Sequence, residues 1–286
     1  MKQYQEICKK ALAGTKKSNR TGVDHIGYHG DMMKFDLREG FPLVTTKQMA
    51  WKSCFAEMFG FLRGYDNASQ FRALGCNVWN ANSNENKQWL ANPHRLGTDD
   101  LGRIYGVQGR RWLAMTDPKT YGFGATIDQL KNVVSDLSQR KDNRREIITY
   151  WNPGELNTMA LPPCCLLYQL SIEGDYLNLS MYQRSCDVPL GVPFNIAGYA
   201  WLLSVIAQIT DLKPGIFTHF MHDIHIYENQ VAMMKEQVRR IPYELPTLFI
   251  EPRIKTLQDL ETWVTPDCFQ VINYKHHPAI PYPFSV

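Results

Sequence analysis

The chain has 286 residues, an apolar share of 44% and a formal net charge of +3. This length and apolar content suffice for a large globular domain and exclude a disordered chain, while the small charge does not by itself indicate a nucleic-acid partner. The seven cysteines lack the spacing of a small disulfide scaffold, and the sequence shows neither a signal peptide nor an apolar run of about 18 residues. We therefore expect a reduced, cytoplasmic protein with no membrane span.

The first quarter of the chain predicts a helix, a basic loop and strands. Residues 2–13 have helical spacing and end at Gly14, and residues 16–22 form a polar, basic loop. Residues 25–44 follow a strand pattern interrupted by a turn at Glu39-Gly40. An arginine in the basic loop is usually a solvated charge, although a planar guanidinium also suits a phosphate.

A strongly apolar helix is predicted over residues 47–63, and Glu57 lies in it among phenylalanines. The sequence alone favours a surface position for this carboxylate. If it is buried beside a pocket, desolvation raises its pKa and allows it to exchange protons near neutrality. Residues 65–100 predict a helix followed by long loops, and no linker divides the chain into two domains.

The middle of the chain predicts an amphipathic helix and a hairpin. Residues 126–140 carry an apolar helical stripe followed by a basic run that ends at Arg144-Arg145. Such a run is usually a solvated helix end. Residues 166–182 alternate as two strands around the turn Glu173-Gly174-Asp175, and a loop broken by glycine and proline then leads to Asn195.

The last third predicts a buried helix over residues 197–208, another helix over 227–239, and terminal strands with a proline-rich tail. Histidines at 219, 222 and 225 are spaced by three residues, but on an extended segment they cannot all face one ion, so we predict no metal site. The tail could be a frayed terminus or a lid over a site.

Cys164 is the candidate nucleophile. Pro162 and Pro163 stiffen the backbone before it. A cysteine reacts as the thiolate, and its resting pKa of about 8.5 falls near a cation. Arg184 follows at a separation that two antiparallel strands can fold back across, so it could stabilise the thiolate or hold a phosphate. From this spacing alone, a buried cysteine on one strand and a surface arginine on the next is the favoured interpretation, because a lone cysteine is usually a packing residue.

Three longer motifs bear on the choice between a reactive cysteine and a buried structural cysteine. They are Leu-Pro-Pro-Cys at 161–164, Tyr-Gln-Arg-Ser-Cys-Asp at 182–187 and Leu-Gly-Val-Pro-Phe-Asn-Ile-Ala at 190–197. With Arg-Thr-Gly at 20–22 and Leu-Gly-Arg-Ile-Tyr-Gly at 101–106, they closely resemble the thymidylate synthase family. The resemblance implies an α+β (α/β two-layer) single domain over residues 1–286, with a large mixed sheet flanked by helices and an insertion at about 84–100. It also implies a homodimer whose two sheets pack face to face.

The reaction implied by the resemblance is the reductive methylation of dUMP to dTMP, with 5,10-methylenetetrahydrofolate as the donor of both the carbon unit and the hydride. Cys164 would add to C6 of the pyrimidine, which makes C5 nucleophilic. Tyr105 and ordered water would help to remove the C5 proton, and Glu57 would move protons through water. The resemblance assigns catalysis to Cys164, Glu57, Tyr105, Asp187 and Arg184.

The resemblance also assigns two sets of binding residues. For dUMP they are Arg20, Arg144, Arg145, Arg184, Ser185, Asp187, Asn195, His225 and Tyr227, with Arg144 and Arg145 donated to the neighbouring subunit. For the folate they are Lys47, Val78, Trp79, Leu161, Asp187, Leu190, Gly191, Phe194 and Val286. The amide of Asn195 can pair with both O4 and N3–H of uracil, whereas cytosine reverses that pattern.

Two alternatives stay open. A hydroxymethylase of the same fold would capture the intermediate with water and release tetrahydrofolate. An RNA-binding protein without turnover would rest only on the basic cluster at 140–145. The sequence also departs from the family pattern at Gln48, Ala50, Gly60 and Cys165, and these departures affect the folate side more than the nucleotide side.

Overall fold

The computed structural model describes residues 1–18, 22–117, 119 and 122–284. The strands are β1 (Thr15–Lys17), β2 (His25–Asp36), β3 (Trp112–Asp117), β4 (Gly122–Ile127), β5 (Ile147–Thr149), β6 (Cys165–Glu173), β7 (Tyr176–Asp187), β8 (Lys213–Tyr227), β9 (Thr247–Ile250) and β10 (Phe269–Ile272). The helices are α1 (Lys2–Leu12), α2 (Trp51–Leu62), α3 (Ala68–Ala73), α4 (Asn80–Asn84), α5 (Lys87–Leu90), α6 (Tyr105–Arg110), α7 (Gln129–Ser138), α8 (Gly191–Ile209), α9 (Val231–Gln237) and α10 (Leu257–Thr262).

The main sheet of the described residues has the order β1-β2-β8-β7-β6-β5. β7 and β8 run parallel, while the other neighbours are antiparallel. The parallel pair is joined by α8, because a parallel connection needs a crossover that a tight turn cannot supply. The α+β architecture with a large mixed sheet is therefore confirmed.

Aromatic packing joins α2 and α8 over the inner face of the sheet. The ring of Trp201 on α8 lies 5.5 Å from that of Phe55 and 4.9 Å from that of Phe59, both on α2. α8 is buried on nearly every side, which explains why its sequence is apolar all round. By length and composition alone this helix could cross a membrane, but 83% of its most apolar window is buried inside the fold.

The β6–β7 hairpin carries Cys164 and Arg184 to the same end of the sheet. Its turn places Gly174 at a φ of 59°, a conformation that glycine adopts without strain. Cys165 pairs with Gln183 and Leu167 with Tyr182, so Leu166 is an extra residue in β6. Such a bulge bends a strand and re-aims its side chains, and here it lies two residues after Cys164.

The outer face of the sheet exposes a row of large apolar side chains. Met32 pairs with Phe220, Phe220 with Tyr182, and Tyr182 with Leu167, so the row crosses four neighbouring strands. The exposed fractions are 48%, 40%, 38% and 37% in the order Met32, Phe220, Tyr182 and Leu167. A continuous exposed apolar row of this kind marks an interaction surface.

Several predicted elements have different bounds in the structure. The loop predicted before Asn195 is wrong, since α8 begins at Gly191 and includes Pro193 in its first turn, where a missing N–H costs no hydrogen bond. The helix predicted at 47–63 spans only Trp51–Leu62. Two further helices are also shorter than predicted: the one over 126–140 begins only after β4 ends at Ile127, and the one over 227–239 is a 3-10 turn followed by α9.

Two other regions also differ. The predicted strands over 25–44 are one strand, β2, after which Phe41, Leu43 and Val44 are buried without strand pairing. Residues 65–100, predicted as a helix and long loops, contain α3, α4 and α5. Asn67 and Asn86 cap two of these short helices through their side chains, a local signal that marks helix starts.

Candidate active site

Cys164 lies at the entrance to β6 and is half-buried. Its N–H donates to the Tyr105 hydroxyl at 2.7 Å, and its carbonyl accepts from the N–H of Arg184 at 2.9 Å. Both backbone polar groups of the cysteine are thus engaged, which fixes the direction of its side chain. The sulfur is neither sealed in the core nor on an open surface.

Arg184 clamps the loop that precedes the cysteine. Its Nε donates to the carbonyl of Pro163 at 2.8 Å and its Nη2 to that of Pro162 at 3.1 Å. The guanidinium carbon also lies 5.4 Å from the ring centroid of Trp151. Arg184 therefore holds a permanent positive charge against the loop that leads into Cys164.

Tyr105 lies behind Cys164, among other aromatic residues. Its ring stacks on Phe61 at 4.7 Å and meets the edge of Trp79 at 5.8 Å. Burial raises the pKa of Tyr105 well above its ordinary value, and the thiols of Cys164 and Cys165 raise it further. Because its oxygen accepts the Cys164 N–H, the neutral hydroxyl can direct its own proton to a water or a substrate.

Close helix packing holds these aromatic residues in place. A Cβ on Gly106 would stand 2.5 Å from the carbonyl oxygen of Phe61, so glycine allows α6 to approach the backbone of α2. This approach puts Tyr105 against Phe61, and hence against the cysteine loop.

Glu57 on α2 lies near the same aromatic group. Burial raises the pKa of its carboxyl to about 7, and an interaction with the Trp79 side chain opposes the rise. That contact falls short of hydrogen-bond geometry, since the buried Trp79 Nε1 has no partner that meets it among the described residues. The surface position favoured by the sequence alone is wrong, because Glu57 is mostly enclosed and poised to exchange a proton near neutral pH.

Asp187 and Lys47 form a second charged group at the end of β7. Burial raises the pKa of Asp187 to about 6, while the Leu190 N–H, at 3.3 Å, and Lys47 lower it. Burial lowers the pKa of Lys47 to about 8, and Asp187 opposes that change. The Lys47 Nζ donates to the Pro189 carbonyl at 2.5 Å, so it braces the backbone between Asp187 and α8.

Asn195 lies in the first two turns of α8, beside Asp187. A Cβ built on Gly191 would be 3.7 Å from the Asp187 Cβ and 3.8 Å from the Asn195 Oδ1, which places all three residues together. Within the described residues, the side-chain amide of Asn195 has no hydrogen-bond partner. It is partly accessible, so both its donor and its acceptor can meet a ligand.

His225 and Tyr227 continue this surface on β8. Asp187 pairs with His225 across the parallel strands, and the His225 and Tyr227 rings are 5.2 Å apart. The prediction that both side chains share one face is confirmed. Ser185 lies between Arg184 and Asp187 on β7 and pairs with Asp223, so it occupies the same edge.

The predicted folate residues border this region. Leu161, Leu190 and Phe194 are partly buried hydrophobic residues packed on the core, and the Phe194 carbonyl accepts from the Cys54 thiol at 3.2 Å. Val78 is 40% exposed, whereas the neighbouring Trp79 is 4% exposed. The arrangement offers apolar contact area beside the carboxylate of Asp187.

Comparison with known proteins finds matches that cover the chain from end to end. The sequence profile described as thymidylate synthase matches residues 2–286. The chain belongs to the thymidylate synthase family. Proteins named thymidylate synthase from Shewanella sediminis, Photobacterium profundum and Haemophilus influenzae are 49%, 47% and 47% identical to it, each over 100% of both chains.

Some of the site residues predicted from the thymidylate synthase resemblance lie away from Cys164, and others lie outside the described residues. Arg144 and Arg145 are exposed in the turn before β5, and their guanidinium groups form no hydrogen bond, salt bridge or cation–π contact with the described residues. Arg144 has a φ of 67°, which a tight turn imposes. The predicted positions of Arg20 and Val286 fall outside the described residues.

Two residues that the sequence did not single out lie beside this candidate site. Trp151 makes a cation–π contact with Arg184, and nothing in its local sequence distinguishes it from a packing residue. The ring of Tyr282 lies 4.9 Å from the Lys47 Nζ, and its hydroxyl donates to Gln237 at 2.7 Å. The proline-rich tail is therefore docked on the fold at Tyr282 and at Pro283, whose carbonyl accepts from the Gln230 side chain at 2.9 Å.

The histidines considered for a metal have other environments. His219 is fully buried, its Nε2 lies 2.7 Å from Gln183 Oε1, and burial lowers its pKa to about 3. His222 is exposed on the opposite face of β8. Among the described residues, no group of three or more histidine, cysteine, aspartate or glutamate side chains could hold a metal ion.

Proposed function

We propose that this protein catalyses the reductive methylation of dUMP to dTMP, with 5,10-methylenetetrahydrofolate as co-substrate and dihydrofolate as the second product. One observation carries the proposal: in a chain that matches the family from end to end, Cys164 is half-buried and tied through its backbone to both Tyr105 and Arg184. These contacts support a joint role for the Cys164 thiol as nucleophile, the Tyr105 hydroxyl and the Arg184 cation.

The nucleotide site is assigned to the edge formed by β7, β8 and the start of α8. Arg184 retains N–H donors that are not used by the two proline carbonyls, and these donors suit a phosphate. His225 and Tyr227 would bind the sugar, and Ser185 would add a donor at the phosphate. The partner-free amide of Asn195 supports uracil over cytosine, because a mismatch would leave buried polar groups unpaired.

Cys164 would add to C6 of the pyrimidine and leave at the end of the reaction, so the enzyme is regenerated. The raised pKa of Tyr105 keeps its hydroxyl neutral, so we assign it to orienting the water that accepts the C5 proton. Glu57, with a pKa of about 7, can both take and return protons at the pyrimidine O4 and the folate through water. Asp187 is ionised at neutral pH and can accept from the pterin N–H groups.

The co-substrate is assigned to the apolar border of the site. Trp79 would lie beside the one-carbon unit, and its buried Nε1 is an orphan donor that a ligand or water could satisfy. Leu161, Leu190, Gly191 and Phe194 would contact the folate, with Lys47 bracing the loop between them.

A homodimer formed through the outer sheet face completes the proposal. The exposed row of Met32, Phe220, Tyr182 and Leu167 supplies a self-complementary apolar surface, which a two-fold axis would pair with itself. Arg144 and Arg145 have no partner in their own described chain, so they are available to the phosphate of the neighbouring subunit.

Subunit mixing tests this arrangement. The double variant Arg144→Ala/Arg145→Ala and the variant Cys164→Ala should each be nearly inactive. Co-refolded in equal amounts, they should recover about a quarter of the wild-type sites, because half of the dimers are mixed and each holds one intact site. Mixing Cys164→Ala with Arg184→Ala, which we assign to the same subunit's site, should recover nothing. Recovery in both mixtures or in neither would contradict donation across the interface.

The reaction itself is tested by its products. With dUMP and 5,10-methylenetetrahydrofolate, the enzyme should release dTMP and dihydrofolate in equal amounts. Chromatography measures the dTMP, and absorbance measures the dihydrofolate. Release of 5-hydroxymethyl-dUMP with tetrahydrofolate would instead show that water captures the intermediate. Correctly folded protein that consumes no dUMP would overturn the proposed function.

A further inference from the structure

Trp151 is a residue near the site to which the proposed reaction gives no role. It follows β5 and Tyr150, whose N–H donates to the carbonyl of the bulge residue Leu166 at 2.8 Å. This backbone bond fixes the position of Trp151 relative to β6. Its partly buried ring faces the guanidinium of Arg184, with 5.4 Å between the ring centroid and Cζ.

Arg184 performs two tasks with one group. A guanidinium has five N–H donors, of which Nε–H and one on Nη2 are used by the carbonyls of Pro163 and Pro162. The remaining donors, on Nη1 and Nη2, have no partner among the described residues. They lie in the guanidinium plane, and the guanidinium carbon lies over the face of the Trp151 ring.

We propose that Trp151 is a positioning residue, which acts through Arg184 to keep these remaining donors aimed at the phosphate of the nucleotide. The proposal rests on the nucleotide-binding role given to Arg184 above. The two proline carbonyls hold one edge of the guanidinium but leave it free to tilt about that edge. An aromatic ring over one face removes this tilt, excludes water from that face and attracts the cation. Trp151 touches neither substrate nor nucleophile.

Loss of the Trp151 ring should weaken nucleotide binding and leave the rate of the chemical step nearly unchanged. Trp151→Leu keeps an apolar side chain but removes the ring, and the two carbonyl contacts of Arg184 remain. We expect the KM for dUMP to rise about 10-fold, because a partly desolvated cation–π contact is lost. The kcat should change by less than about 3-fold. Trp151→Phe should restore most of the affinity, because it returns an aromatic face.

The chain offers a matched control. Trp263 makes the same kind of cation–π contact with Arg253, with 5.5 Å between the ring centroid and Cζ, on a surface outside the proposed site. Trp263→Leu should leave the KM for dUMP unchanged. A purely structural role of Trp151 would instead lower kcat and thermal stability together, and Phe would not selectively restore the KM.

Binding measurements separate this inference from the proposed function. Calorimetric titration of the wild type and the three variants with dUMP, and with inorganic phosphate as a competitor, needs no turnover. Weaker binding of both ligands to Trp151→Leu alone, with recovery in Trp151→Phe, supports the positioning role even if dUMP is not methylated. Equal affinities of wild type and Trp151→Leu for dUMP would overturn it.

Discussion

Replacing Cys164 by alanine should lower kcat for dTMP formation by about 10⁴-fold or more, because the reaction would lose its covalent step. The structure gives this residue the two features that a nucleophile needs. It is accessible, and its backbone is held on one side by Tyr105 and on the other by Arg184. In the wild type, 5-fluoro-dUMP with 5,10-methylenetetrahydrofolate should leave a stable adduct on this residue, detected by mass spectrometry of proteolytic fragments.

Cys165 provides the control for that adduct. It is adjacent in sequence but 2% exposed, and burial raises the pKa of its thiol well above the ordinary value. Cys165→Ala should therefore still form the adduct, whereas Cys164→Ala should form none. An adduct on Cys165, or its formation by Cys164→Ala, would refute the assignment of the nucleophile.

The hairpin of β6 and β7 shows what the sequence could predict. Its strands alternate in polarity around a glycine turn, so both the pairing and the approach of Arg184 to Cys164 follow from local rules. The bulge at Leu166 could not be predicted, because its cause lies in the pairing with β7 and not in any residue type. The contact between Arg184 and the proline carbonyls likewise depends on that register.

The start of α8 shows where local rules fail. Gly191 and Pro193 indicate a loop, yet burial of the following apolar residues against α2 and the sheet favours a helix that includes them. Asn195 is consequently held on a rigid helix beside Asp187. For Glu57, the sequence alone favours the surface, since its burial depends on Trp79 and Tyr105, which are distant in the chain.

Glu57 should reduce the stability of the protein in a pH-dependent manner. Its pKa is about 7 in the folded protein and 4.5 for the free group, so the folded state binds this proton more tightly than the unfolded chain. The folding penalty is therefore absent below about pH 4.5, grows as the pH rises towards 7, and is complete above it. A difference of this size corresponds to an upper limit of roughly 3 kcal/mol.

Glu57→Gln should remove this penalty and the catalytic proton together. At pH 8 we expect the free energy of unfolding of the variant to exceed that of the wild type by up to about 3 kcal/mol. At pH 5 most of this difference should be lost. The kcat of the variant should fall by about 10²- to 10⁴-fold. Urea titrations at both pH values and at one protein concentration measure the first effect, and initial rates measure the second. Glu6→Gln, at an exposed position on α1, should change stability by less than about 0.5 kcal/mol at either pH. A Glu57→Gln variant that is destabilised equally at both pH values would show that the carboxylate is satisfied in the fold. In that case Glu57 could not be the group that exchanges protons near neutral pH. The burial that makes the charge of its carboxylate unfavourable is the same burial that raises its pKa to about 7.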